Sequence, residues 1–245
     1  MKKLLFLILM FFSPYLSSAQ TAFEIVNTAE NSIKGKSSEG TFTMNIITPD
    51  YSRSMTMKSW WVGNDKALIV IVAPASEKGN KTLKIKNEMW NYLKNTETTM
   101  KIPPSMMLQS WNGSDLTNDD LVRESNLVED YDLKLLNEEL IAGEMCWKIE
   151  LVPKPEAPVV WGRIYYWVRK TDYLPGLIQY YSEKGTLIRT MKFADYKVFS
   201  GRKIPTKWII ESNTKNGHYT EFIYNDVKFD TKIPDRIFSF RELEK

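Results

Sequence analysis

The chain is short of the residues on which most site chemistry is built. It has one cysteine, Cys146, and one histidine, His218, in 245 residues. A single cysteine excludes an internal disulfide, so the fold rests on its core. The same scarcity gives no Cys/His zinc set and no nucleophile–base pair. An excess of one charge is also missing: 33 Lys and Arg stand against 30 Asp and Glu. A generic nucleic-acid binder would need a strong basic excess to neutralise phosphates. No Gly-rich phosphate loop precedes a helix, and no fixed-period repeat, low-complexity tract or linker divides the chain. Beyond the N-terminal stretch, no run is apolar enough to cross a bilayer as a helix.

The N-terminus differs from the rest. Lys2 and Lys3 precede an unbroken apolar run, Leu4 to Phe12, and Ser17-Ser18-Ala19 supplies small residues for cleavage. This pattern predicts a secretory signal peptide over 1–19, and therefore an exported protein. No cysteine follows the apolar run, so no lipid anchor is expected there. Residues 20–245 are expected to form one domain with a sizeable core.

What is present is mostly strand pattern. One helix comes first, Ala22 to Lys34, with a T-x-x-E capping box at Thr21 and Glu24. Phe23, Val26, Ala29 and Ile33 repeat along it at helical spacing, and Gly35 stops it. Then Phe42, Met44 and Ile46 alternate with polar neighbours, and Met55 and Met57 continue the period of two. Ala67 to Val72 is apolar on both faces. Leu83 and Ile85 alternate with Thr82, Lys84 and Lys86. Further strand-like runs fill the second half, and Asn216-Gly217 marks a hairpin. Cys146, between Met145 and Trp147, reads as a small buried apolar residue. The pattern predicts a mainly β (α+β) protein with about eleven antiparallel strands in one strongly twisted or curled sheet. Such a sheet must cover its apolar face. With one helix and one short insert available, a cavity is the natural consequence.

That insert, 102–124, interrupts the strands. It opens on Pro103 and Pro104, carries Met106, Met107, Leu108 and Trp111, and ends in GSDLTNDD. The acidic end lacks the glycine and spacing of a calcium loop. It reads as a helix start, with Thr117 as cap and Asp120 three residues on. Met107, Leu108 and Trp111 would share a helix face, either as ordinary core or as the lid of a binding site. Methionine suits the second role, because its flexible chain re-packs around variable apolar partners. The aromatic strand residues, such as Trp60, Trp61, Trp90 and Trp147, suit either a sugar-stacking face or the walls of an apolar trough. Catalysis has little support. Glu138-Glu139 and Asp119-Asp120 are adjacent pairs, and neighbours diverge on strand and helix alike, so neither is an acid/base pair of the kind a glycosidase needs. No catalytic residue, metal ligand or cofactor is assigned, and the chain is not expected to be an enzyme.

Several segments together carry a family resemblance: MWNYL (89–93), IPPSMM and GSDLTNDDL within 102–121, IAGEMCWKIEL (141–151), RKIPTKW (202–208) and the closing IPDRIFSFRELEK. In these the chain resembles the outer-membrane lipoprotein-sorting proteins of the LolA/LolB-like superfamily, in its larger and less characterised branch. The resemblance implies an unclosed β-barrel whose open side is covered by helices. It also implies a periplasmic carrier of lipid acyl chains, with an inner-membrane export machine as donor and an outer-membrane acceptor. In that frame Phe42, Met44, Ile46, Met55, Met57, Leu83 and Ile85 are expected to face the trough. Met106, Met107, Leu108 and Trp111 are expected to close over it. The competing readings are a periplasmic lipid sensor or adaptor of the same fold, and a carbohydrate-binding protein.

Overall fold

The computed structural model describes residues 20–123 and 127–245; the expected signal peptide, 1–19, lies outside the described residues. Helix α1 (Ala22–Lys34) forms where its cap predicts. Thr21 Oγ1 accepts from the Glu24 N–H at 3.2 Å, and the Glu24 carboxylate accepts from the Thr21 N–H at 2.9 Å. Its buried face is Ala22, Ile25, Val26 and Ala29, whereas Phe23 is 52% exposed. The apolar stripe is thus rotated from the expected one, with Ile25 facing in where Phe23 was expected.

The thirteen strands among the described residues belong to one antiparallel sheet. The first half supplies β1 (Ser37–Ile47), β2 (Ser52–Val62), β3 (Lys66–Ala73), β4 (Lys81–Ile85), β5 (Glu88–Leu93) and β6 (Thr98–Lys101). The second supplies β7 (Tyr131–Ile141), β8 (Glu144–Pro153), β9 (Arg163–Arg169), β10 (Pro175–Tyr181), β11 (Leu187–Phe199), β12 (Arg202–Ser212) and β13 (Tyr219–Phe229). The count is thirteen against the expected eleven or so, and the shortest strand, Thr98–Lys101, pairs with β5 at one edge. The spatial order runs β6 to β1, then β13 back to β7. Each half is therefore a meander, and the halves join where β1 pairs with β13. The sheet does not close, since β6 and β7 are its two free edges.

The segment from 102 to 130 runs from one free edge to the other. It holds a 3-10 turn (Pro104–Met106) and the short helices α2 (Asn118–Arg123) and α3 (Leu127–Asp130). A second 3-10 turn (Asp235–Phe238) and α4 (Phe240–Leu243) end the chain. Two apolar clusters result. The larger fills the space enclosed by the sheet, α1 and the crossing segment. The smaller joins Leu68, Leu83 and Tyr92 to Phe238 and Leu243 on the opposite face of β3–β5.

Leu83 and Ile85 therefore do not face the trough. They pack in the smaller cluster, while the alternate residues Thr82 and Lys84 point inward. The reason is long-range: the C-terminal segment covers the outer face of β4, so both faces of that strand are buried.

No helix among the described residues is long and apolar enough to cross a membrane.

Helix α1 contributes stability through one face only. Ile25→Ala is expected to cost about 2–4 kcal/mol, and Phe23→Ala no more than about 0.5 kcal/mol, in paired urea titrations.

Candidate functional site

The crossing segment, expected as a short helical lid, is a compact loop up to the helix start at Thr117. The left-handed residues Asn112 (φ 50°) and Gly113 (φ 78°) turn the chain back after Trp111. Backbone bonds then tie the loop shut: Trp111 N–H to Leu116 O at 2.8 Å, Asn118 N–H to Gln109 O at 3.0 Å, and Asp119 N–H to Met107 O at 2.8 Å. The cap before α2 forms as expected. Thr117 Oγ1 accepts from the Asp120 N–H at 3.2 Å, and Asp120 Oδ2 accepts from the Thr117 N–H at 2.6 Å.

Polar contacts attach this loop to the sheet at four strands. Trp111, buried at the loop's tip, donates its indole N–H to Thr82 Oγ1 on β4 at 3.3 Å. Arg53 on β2 donates to the Asn112 carbonyl at 3.3 Å. On β13, Thr220 Oγ1 accepts from the Asp115 N–H at 2.9 Å and donates to Asp115 Oδ2 at 2.7 Å. Arg189 on β11 makes the strongest contact. Its Nη1 and Nη2 donate to the two Asp120 oxygens at 2.5 and 2.9 Å. Both side chains are almost fully buried, with 4% and 3% exposure. The guanidinium also lies 4.3 Å from the Tyr180 ring centre and 4.8 Å from that of Trp161.

Beneath the loop lies a cavity of about 180 Å³. Its far wall is apolar, with Ile178, Met191, Phe193, Trp208, Phe222 and Tyr224 from β10–β13. Phe42 faces them from β1, and Trp111, Leu116, Leu121 and Leu127 form the roof. Polar groups gather at the other end. Glu30 and Lys34 on α1 form an ion pair at 2.6 Å, and the Tyr166 hydroxyl donates to the other Glu30 oxygen at 3.0 Å. Lys84 enters from β4, 2% exposed, and donates to the Asn64 carbonyl at 2.5 Å. Burial, helped by the Lys34 charge and opposed by Asp65, pushes the Lys84 ammonium down to about 8.

Of the residues expected from sequence, Phe42 and Trp111 line this cavity. Met44, Ile46, Met55 and Met57 face the same interior but lie in the packed core beside it. Met107 is buried in that core, and Met106 packs partly against it. Leu108 is 61% exposed and covers nothing. Sequence reasoning missed the β10–β13 wall, Lys84 and Arg189. A clue to Arg189 was available, because it shares the period-two face of Met191 and Phe193. A cation on an apolar strand face demands a buried partner.

Glu138, Glu139 and Asp120 each hold a cation. Glu139 takes Lys148 and the Trp167 indole, and these bonds hold its carboxyl below the usual range. Among the described residues no cluster of three or more His, Cys, Asp or Glu side chains could hold a metal ion. Cys146 is buried, and desolvation pushes its thiol up to about 11.

A family model described as an uncharacterized protein matches residues 63–245. A DUF1329 family protein from Desulfovibrio piger superposes with a TM-score of 0.83 at 23% identity, covering 91% of this chain and 97% of the other. A domain from Vibrio parahaemolyticus, described as a putative outer membrane lipoprotein-sorting protein, gives 0.79 at 22% identity, covering 91% and 98%. A LolA superfamily protein from Nitrosomonas europaea gives 0.75 at 25% identity, covering 90% and 98%. No curated protein matches the chain.

Two substitutions separate the roof from the floor. Asp120→Ala leaves the Arg189 charge buried and is expected to destabilise by about 3–5 kcal/mol in urea titration. Lys84 behaves oppositely. Its folded value lies below the ordinary 10.5, so between about 8 and 10.5 the unfolded chain holds more protons. Stability is therefore penalised below 8 and recovers as pH rises through that window. Lys84→Met is expected to raise stability at pH 7 by about 1–2 kcal/mol, net of the lost Asn64 bond. That gain should shrink between pH 8 and 10.

Proposed function

Because this chain belongs to that family of uncharacterized proteins, within the LolA-like superfamily of outer-membrane lipoprotein-sorting proteins, we propose that it is a periplasmic carrier of acyl lipids. In this reading the acyl chains of a lipoprotein or another lipid enter the cavity between the curled sheet and the crossing loop. An inner-membrane donor loads them and an outer-membrane acceptor takes them. The chain acts by binding and release and performs no covalent chemistry.

One observation carries the proposal: an apolar cavity roofed by a loop that polar contacts hold in place. Each acyl CH₂ moved out of water gains about 0.8 kcal/mol, so a lipid with two or three chains needs an apolar container to cross an aqueous space. The container must also let go. A roof held by Trp111–Thr82, Asp115–Thr220 and Asp120–Arg189 can be released at a few discrete contacts while the sheet stays folded. The cavity measures about 180 Å³, below the roughly 300–1,000 Å³ of ordinary ligand pockets. It represents the closed state, and loading requires the loop to lift. The flexible side chains of Met191, in the wall, and Met44, Met55 and Met57, beneath it, allow the floor to re-pack around a chain.

Native mass spectrometry of the signal-free protein, purified without detergent and then exposed to lipid vesicles and to acylated lipoprotein, tests this. We expect bound acyl lipid, lost in Leu121→Asp with the circular dichroism spectrum retained. A mass that stays unliganded under all these conditions overturns the carrier reading.

A further inference from the structure

Among the described residues, Lys84 is the one charged side chain lining the cavity that makes no ion pair, and its neighbours are arranged around it in order. The strand registers set the inward-facing residues of β1–β4 in cross-strand rows. One row runs Ser38, Trp61, Ala67, Lys84; the next runs Gly40, Ser59, Ile69, Thr82. Phe42 and Met57 follow in the third row. Polarity thus falls along the cavity, from lysine and serine at the end near α1 to aromatic and methionine side chains further in.

The ammonium at the polar end is incompletely satisfied. It has three N–H donors, and donates to the Asn64 carbonyl. It makes no ion pair among the described residues. The two carboxylates that line the cavity, Glu30 and Asp120, are committed to Lys34 and Tyr166 and to Arg189. Asp65 attracts Lys84 only from the exposed turn. The Ser38 and Ser59 side chains line the same space. A buried, unpaired cation is costly, and a hydrophobic residue would serve the core better. The group is instead directed into a space that a ligand can fill, with two further hydroxyl donors and the Lys34 charge beside it.

We infer that this end of the cavity is a subsite for a single anionic headgroup, carboxylate or phosphate, with Lys84 as its counter-ion and the acyl tail running toward Phe42, Met191 and Trp208. The inference rests on the carrier reading and narrows it, from acyl lipid in general to acidic amphiphiles. Lys34 stays paired with Glu30 and adds a second, weaker positive field. Ser38 and Ser59 donate hydrogen bonds to the headgroup oxygens.

The test holds the tail constant and varies the head. Dodecanoate, dodecyl phosphate and 1-dodecanol are titrated into the signal-free chain below their aggregation limits, followed by fluorescence, since Trp61, Trp111 and Trp208 line the cavity. At least one of the two anions is expected to bind tenfold or more tighter than the alcohol. Lys84→Met and Lys84→Gln are each expected to abolish that preference and to leave alcohol binding within twofold. A preference confined to the carboxylate identifies free fatty acid as the source, and one confined to the phosphate identifies a phospholipid head. Equal binding of all three, or a preference that survives both substitutions, overturns the subsite while leaving the carrier intact. Binding of none of them, in wild type and variants alike, overturns the carrier reading too.

Discussion

The buried pair between Asp120 and Arg189 is the contact on which the enclosed cavity depends. Taking both charges out of water is expensive, and a single contact would not repay it. Here the geometry is bidentate, Asp120 also accepts from Thr117, and the guanidinium lies against two aromatic rings. Each arrangement strengthens the others in a low-dielectric site. Mechanically, the pair fastens α2 to β11, near the middle of the sheet's second half. The loop between β6 and α2 is thereby held over the interior. Without that fastening, the crossing segment would be a tether between two edges, and the apolar face of β10–β13 would be open to water.

The sheet makes such a roof necessary because it curls without closing. Its halves meet at β1 and β13, where the register slips by one residue after Thr41. Gly40 sits beside the slip. A Cβ there would lie 2.5 Å from the Asp226 carbonyl, so only glycine lets the two strands approach closely at the bend. Curvature at this point brings the two wings of the sheet toward each other. Helix α1 fills part of the space between them and the loop fills part of the rest. Two small pieces do not fill a large concave face completely, and the remaining volume is the cavity.

Much of this was legible in sequence, and the failures are instructive. The capping boxes at Thr21 and Thr117 are local devices, and both form as read. The alternation in β1 and β2 also reads correctly, because one face of each looks into the core. Strand β4 reads wrongly because its outer face is covered by residues about 150 positions later in the chain. Once Phe238 and Leu243 claim Leu83, the lysine next to it has to point inward, and no local pattern reveals that. The roof was misread for the opposite reason. Met107, Leu108 and Trp111 have helical spacing, but Asn112-Gly113 turns the chain before a helix can run, so Trp111 goes in and Leu108 goes out. The β10–β13 wall was invisible because period two does not say which of two faces a curled sheet encloses.

The placement of the second apolar cluster bears on how such a molecule would work. Strands β3–β5 are packed on both sides, by the interior and by the C-terminal segment. They are therefore the stiff wall, and Lys84 stands on it. The roof is the opposite case. It is closed by its own backbone bonds and meets the sheet both through the apolar packing of Trp111, Leu116 and Val122 and through a few polar contacts, whose geometry is lost after small displacements. A dispersive apolar interface would yield gradually as it slides, whereas a set of directional bonds holds and then releases. Stiffness on the side that would recognise a headgroup, and discrete attachment on the side that covers a tail, divide selection from release between different parts of one fold. A carrier needs that division, since a binding site that had to deform in order to open would lose its discrimination each time it delivered.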